Sequence, residues 1–298
     1  MFAATGANDP AADTTADYSA TYTWTAPPGT GQNVNATITN TSAGPQTATG
    51  LFTLTPDTTA PNGLAALNVN GTAASAGGTT SFDLLNDASF PIGTRTDFTE
   101  TPTATASGLD ASASLLVRTS APLSGNVCGT FAGATTVTGT TLQNAAEGIV
   151  TGNCYRYTLT GTDNVGNSAS LVTTVKVDTS TPATDVDTVT EGTNPGAQHF
   201  DSASETHYFR PGGSGDFTVR ATATDAESAI LDVEFPTLAA VAGWTGTGGT
   251  DATSTYDSTT YAWSAGATAP GARTITATNN ASATSTDTIT ITADSASV

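Results

Sequence analysis

Positive charge is what this chain has least of. Seven Lys and Arg stand against 26 Asp and Glu in 298 residues, a formal net charge of −19. Lysine occurs once, at Lys176. No nucleic acid is expected as a partner, because nothing here could neutralise its phosphates. Anionic membrane surfaces are disfavoured for the same reason. Charge of either sign is sparse, at 11% of residues, so the chain is acidic without being charge-dense. Low Lys fits a GC-rich genome, and an acidic surface also fits a salty habitat. No apolar run approaches the length of a membrane span, so no membrane insertion is expected in this segment. Met1 to Gly6 has neither a basic region nor an apolar stretch and does not read as a signal peptide.

Catalytic residue types are equally scarce. There is no Gly-rich phosphate loop, no Gly-x-Ser-x-Gly elbow and no His-Glu-x-x-His. The six Glu sit at loops and opening segments, with no convergent pair for glycoside hydrolysis. His199 and His207 are the only histidines, with Asp201 and Glu205 between them. Their spacing matches no familiar metal set, so a structural or merely exposed role is expected. The chain reads as a non-enzyme, with no catalytic residue, no cofactor-binding residue and no metal ligand assigned.

What the chain has in quantity is Thr, together with Ala, Gly and Ser. Thr is β-branched and suits the solvent-facing positions of strands; O-glycosylation is the sharper alternative. The sequons at Asn35, Asn40, Asn70 and Asn280 are what chance provides in so Thr- and Ser-rich a sequence. Hydrophobic residues make up 37% and alternate in many places, which argues for a fold rather than disorder.

The clearest alternation runs from Cys154 to Asp178. Tyr155, Tyr157 and Leu159 share one face, and Arg156, Thr158 and Thr160 the other. Asp163 to Asn167 is turn chemistry. Ala169, Leu171, Thr173, Val175 and Val177 alternate back. Such a hairpin closes a β-domain, and variants of it recur. Asp178-Thr179-Ser180-Thr181-Pro182 follows this one, and Asp57-Thr58-Thr59-Ala60-Pro61 follows an apolar run 121 positions earlier. Asp294 trails a third run, Thr288 to Thr292. Tyr22-Thr23-Trp24-Thr25-Ala26 also matches Tyr261-Ala262-Trp263-Ser264-Ala265. A period of about 120 residues is the size of one sandwich domain. It divides the chain into an incomplete domain at 1–56 carrying C-terminal strands only, a complete one at 57–177 and another at 178–298.

Further strands are expected at Tyr18 to Ala26, Val34 to Ile38, Gly50 to Thr55, Ser81 to Leu85, Arg95 to Thr105, Ala113 to Thr119, Phe217 to Asp225 and Ile230 to Phe235. Three strands leave a bare face at 1–56. Upstream sequence, another chain or residues 1–17 would have to cover it. Trp244 lies in a Gly/Thr loop as a hydrophobic plug or an exposed sugar-stacking ring, with the plug favoured.

Thr162 to Asn167, Val177 to Pro182 and Phe217 to Asp225 carry a family resemblance. They are similar to the bacterial immunoglobulin-like domains strung in tandem along large surface and secreted adhesin-type proteins. The resemblance covers most of the last two segments. It implies an all-β fold of tandem immunoglobulin-like β-sandwich domains, the first one incomplete, at an extracellular or cell-surface location. In that setting the two thiols, Cys128 and Cys154, are expected to form a disulfide; a metal pair would lack further Cys or a nearby His. No antibody-type core Trp flanks them, so the bridge should pin a long loop to the start of a strand. Calcium at domain junctions is the one cofactor the resemblance brings in, with Asp178, Asp185, Asp187, Asp225 and Glu227 as candidates; turn formation and solubilising charge explain the same residues without it.

The expected function is structural or adhesive, as spacer domains of a stalk or filament. Same-type domains in the same or neighbouring chains are the expected partners, with surface glycans or a protein receptor beyond them. One alternative is a self-assembling fibre subunit completed by strand donation between chains. Another is a carbohydrate-binding accessory module of a secreted hydrolase, which exposed coplanar aromatics would favour.

Overall fold

A computed structural model describes residues 32–40, 44–83, 92–103, 105–138 and 149–295. Strands in several sheets dominate these residues, and the chain is all-β. The one helical turn among them is the short 3-10 piece Pro195–Ala197. Tyr18 to Ala26, with Tyr22 and Trp24, lies outside the described residues. Two compact units emerge. One comprises Met1–Ala66, Arg95–Leu116 and Leu159–Leu171; the other comprises Leu67–Thr94, Val117–Thr158 and Val172–Val298.

In the first unit, strands Gln32–Asn40 and Gly44–Leu54 pair antiparallel, with Asn40 opposite Gly44. The chain then runs without regular structure to Gly63, whose amide donates to Thr99 O at 3.0 Å. Phe98 is buried against Gly161. A Cβ at Gly161 would stand 2.4 Å from Phe98 Cβ, so only glycine admits the ring. The strand expected over Arg95 to Thr105 is shorter than its pattern suggests: it spans Ile92–Thr96. Pro102, inside the expected run, has no amide to give a ladder.

The hairpin read from the sequence is present as strands Asn153–Thr162 and Ser168–Val177. Tyr155, Tyr157, Leu159, Val175 and Val177 are buried, and Arg156 faces out. In the second unit, Thr80–Asp83 pairs parallel with Thr174–Val177. Strand Leu116–Ser124 lies beside Asn153–Thr162, and Val127–Cys128 folds back on it with Ser124 opposite Val127. Cys128 and Cys154 are joined as a disulfide, Cα atoms 5.9 Å apart. Around it, Ala121 and Leu123 pack with Phe131.

Two facing sheets make up residues 183–293. Ala183–Glu191 pairs antiparallel with Gly215–Thr224, which pairs with Tyr261–Trp263, and Trp244–Thr245 completes that path. The other sheet orders Gln198–Asp201, Thr206–Phe209, Thr284–Ala293, Gly271–Asn279, Ile230–Phe235 and Gly249–Asp251. Its Thr206–Phe209 runs parallel to the closing strand Thr284–Ala293. Period-two alternation puts Phe217, Val219 and Ala221 from one sheet against Ile275, Ala277, Ile289 and Ile291 from the other. Each large side chain so buried contributes roughly 1.5–3 kcal/mol.

Trp244 and Trp263 are both buried. Trp244 Nε1 donates to Thr268 O at 2.8 Å, and its ring lies 5.0 Å from Phe209. Neither ring offers a face to a sugar. Tyr261 is buried as well, its hydroxyl donating to Pro236 O at 2.6 Å.

The disulfide closes a loop whose ends are 26 positions apart in sequence. Replacing both cysteines (C128S/C154S) should lower unfolding free energy by about 3 kcal/mol on the loop-entropy account. Urea denaturation of the oxidised parent and the double variant checks this.

Candidate functional site

The chain builds one local arrangement twice. Asp57 follows strand Gly44–Leu54, and its Oδ1 accepts from Thr59 N at 3.1 Å and Thr59 Oγ1 at 3.0 Å. Asp178 follows Ser168–Val177, and its Oδ1 accepts from Ser180 N at 3.0 Å and from Ser180 Oγ. In both, a short acidic side chain caps the backbone two residues on, just ahead of Pro61 or Pro182. A hairpin turn meets each. Asp163 Oδ1 accepts from Asn167 N at 2.8 Å, and Asn279 Oδ1 accepts from Ala283 N at 2.8 Å. The next residue also repeats: Asn164 Nδ2 donates to Ser107 O, and Asn280 Nδ2 to Ser228 O. Asp163 and Asn279 therefore occupy equivalent positions.

At the first of these joints the carboxylates of Asp57, Glu100 and Asp163 converge, with ligand oxygens within 4.8 Å of one another. Asp57 Oδ2 accepts from Ser107 N at 2.7 Å. That bond and the Thr59 amide hold the Asp57 carboxyl at about 2, below the usual range. Asp163 is buried, and its donors come from its own turn: Val165 N, Asn167 N and Asn167 Nδ2. Glu100 Oε2 is buried with no hydrogen-bond partner. Desolvation pushes the Glu100 carboxyl up, and repulsion from Asp57 and Asp163 adds to it.

The second joint gathers Asp178, Asp225 and Glu227. Here an amide sits among the carboxylates. Asn279 Nδ2 donates to Asp225 Oδ2 at 2.9 Å, and to Asp178 Oδ2 and Ser180 O at 3.3 Å each. Asp225 Oδ1 accepts from Ser228 N at 2.8 Å. Ser180 Oγ, whose proton goes to Asp178, also lies 3.2 Å from Glu227 Oε2.

A third cluster joins Asp185, Glu205 and Asp287. Asp287 Oδ2 accepts from Val186 N at 2.7 Å. Desolvation raises the Glu205 carboxyl, with Asp287 and then Asp185 adding repulsion.

Of the five acidic residues singled out from sequence, Asp178, Asp225 and Glu227 stand together. Asp185 stands apart with Glu205 and Asp287. Asp187 belongs to none of these groups and adds to the field around Arg220, which pairs with Asp257 at 2.9 Å. Sequence reasoning passed over Asp57, Glu100, Asp163, Glu205 and Asp287 as ligands. The 121-position echo between Asp57 and Asp178 carried the signal for the first of them. Clusters of this kind suit a hard cation, which takes oxygen ligands in flexible geometry.

The two histidines do not converge. His199 is exposed opposite Tyr208, whereas His207 is buried opposite Phe200. Neither ring nitrogen of His207 has a hydrogen-bond partner, and the ring lies 4.0 Å from Phe217.

No protein family matches the chain. No curated protein matches it either. A solved structure aligns over 90% of the chain at 18% identity, with a TM-score of 0.25. It is a Ca2+-stabilized adhesin that helps an Antarctic bacterium reach out and bind ice, and the chain covers 58% of its length. Similarity at that level says nothing about function.

Burial, with a smaller contribution from His199, lowers the His207 imidazole to about 4 from its ordinary 6.5. The unfolded chain therefore binds a proton that the folded chain refuses. The associated stability is full above pH 6.5 and is lost as pH falls towards 4, about 3 kcal/mol in all. His207→Phe should flatten this part of the profile. Urea midpoints of parent and variant at pH 7 and pH 4.5 check it.

Proposed function

We propose that this chain is a non-enzymatic spacer of an extracellular or cell-surface stalk or adhesin. Immunoglobulin-like sandwiches at 57–177 and 178–298 follow a partial one at 1–56. The joint built twice, at Asp57 and at Asp178, carries this reading. A repeated module with a repeated capped, proline-containing linker is what a spacer needs, since proline limits bending. The sheet order of residues 183–293 supports the immunoglobulin-like part.

The topology also suits load. Thr80–Asp83 runs parallel to Thr174–Val177, and Thr206–Phe209 parallel to Thr290–Ala293. Each proposed module thus has an early strand beside its last one. Pulling on the ends shears those hydrogen bonds together instead of unzipping them one at a time. Stretching the full chain by force spectroscopy should give repeated unfolding peaks. Each full release should approach 40 nm, from roughly 3.4 Å per extended residue over about 120 residues. The disulfide-closed module should release about 9 nm less until it is reduced. A single featureless extension would overturn the spacer reading.

Calcium enters as a stiffener of the joints. Asp57, Glu100 and Asp163 stand to gain most from it, because Glu100 Oε2 is buried without a hydrogen-bond partner, whereas Asn279 donates its amide hydrogens into the other cluster. Millimolar calcium should raise the melting temperature of the full chain by several degrees through preferential binding to the folded state. Asp163→Asn should abolish most of that gain. No shift at saturating calcium would remove the ion from the account and leave the spacer standing.

A further inference from the structure

One turn does something a hairpin turn has no need to do. Strand Leu116–Ser124 returns through Gly125 and Asn126 into Val127–Cys128. Both turn residues have positive φ, +54° and +66°, as a two-residue hairpin of this hand requires. The amides at such a tip ordinarily face water. Here Gly125 N donates to Ala226 O at 2.9 Å, and Asn126 N to Glu227 O at 2.8 Å. Those carbonyls belong to the loop that also supplies Asp225 and Glu227 to the second acidic joint.

The turn is braced from behind. Lys176 Nζ, the only lysine amine in the sequence, donates to Asn126 O at 2.7 Å and to Asn126 Oδ1 at 2.8 Å. Its stem crosses Phe82, the amine 5.2 Å from the ring centroid. Burial lowers this amine from its usual range. Cys128, two residues past the turn, is tied to Cys154. Beside it, Leu123 N donates to Gly152 O and Gly152 N to Val177 O, which links the hairpin to the residue just before Asp178. Thr179 N then donates to Thr151 Oγ1 at 3.0 Å.

We propose that the Gly125–Asn126 turn is a docking latch that fixes the sandwich at 178–298 against the sheet preceding it, with Lys176 and the Cys128–Cys154 bridge setting its reach. The inference rests on reading 178–298 as a module of its own. The lone lysine and the disulfide then share one role. They hold two backbone donors rigid enough to bind carbonyls across the joint. A flexible tip would lose that docking to side-chain and loop entropy.

Amide hydrogen exchange on the full, oxidised chain tests the latch, with calorimetry alongside. Gly125 and Asn126 should exchange far more slowly than open-turn amides. Lys176→Met, which keeps the apolar stem, should speed both about tenfold, as expected for losing one charged hydrogen-bond donor. The C128S/C154S variant should do the same. The calorimetric transition of residues 178–298 should stay where it is in both variants. Open-turn exchange at Gly125 and Asn126 in the parent overturns the latch. So does protection that survives both variants, because the turn then needs no bracing. One cooperative transition for the whole chain instead overturns the modular reading, and the joint with it, whatever the turn amides show.

Discussion

Asp178 exposes no surface, yet its side chain ends in a carboxylate. Buried without partners, that group would cost several kcal/mol. The chain surrounds it with donors: Ser180 supplies its amide and hydroxyl, and Asn279 an amide NH from a hairpin far along the sequence. Once those bonds exist, the linker at 178–182 is fixed to the loop at 225–228 and to the turn at 279–283. The position of the following strand, Ala183–Glu191, is then no longer free. Satisfying one buried acid thus sets where a whole sheet begins. Asp57 is only half-buried, and Thr59 and Ser107 supply its donors.

At one equivalent position the two clusters differ by one atom type. Asp163 presents oxygens on both arms of its carboxyl, whereas Asn279 has an NH2 on one of them. The second cluster therefore receives amide hydrogen bonds from Asn279, and the first gathers its three carboxylates around an orphaned Glu100 oxygen.

Much of the architecture was legible in the sequence. Alternation over Tyr155, Tyr157 and Leu159 fixed which face of the hairpin is buried, because period-two patterning maps directly onto a pleated strand. The repeat of Asp57 and Asp178 located both capped linkers ahead of Pro61 and Pro182. What could not be read was convergence. Glu100 sits in a stretch that looks like strand, Glu205 and Asp287 in unremarkable surroundings, and only the tertiary fold brings them to their partners. Asp187 failed as a candidate for the opposite reason: on a strand, neighbours two apart share a face, but Asp185 alone reaches the cluster at Glu205. The short strand at Ile92–Thr96 shows the limit of pattern where a proline, Pro102, follows within the expected run.

Lys176 has a further consequence through its place in the chain. It lies within a paired strand, its amine engaged by Asn126, and no second lysine occurs in these residues. A protease that cuts after lysine meets one site here, and that site is closed by the fold. Reagents and enzymes that modify amines meet the same obstacle. Omitting lysine thus leaves the described surface with almost no target for lysine-directed chemistry.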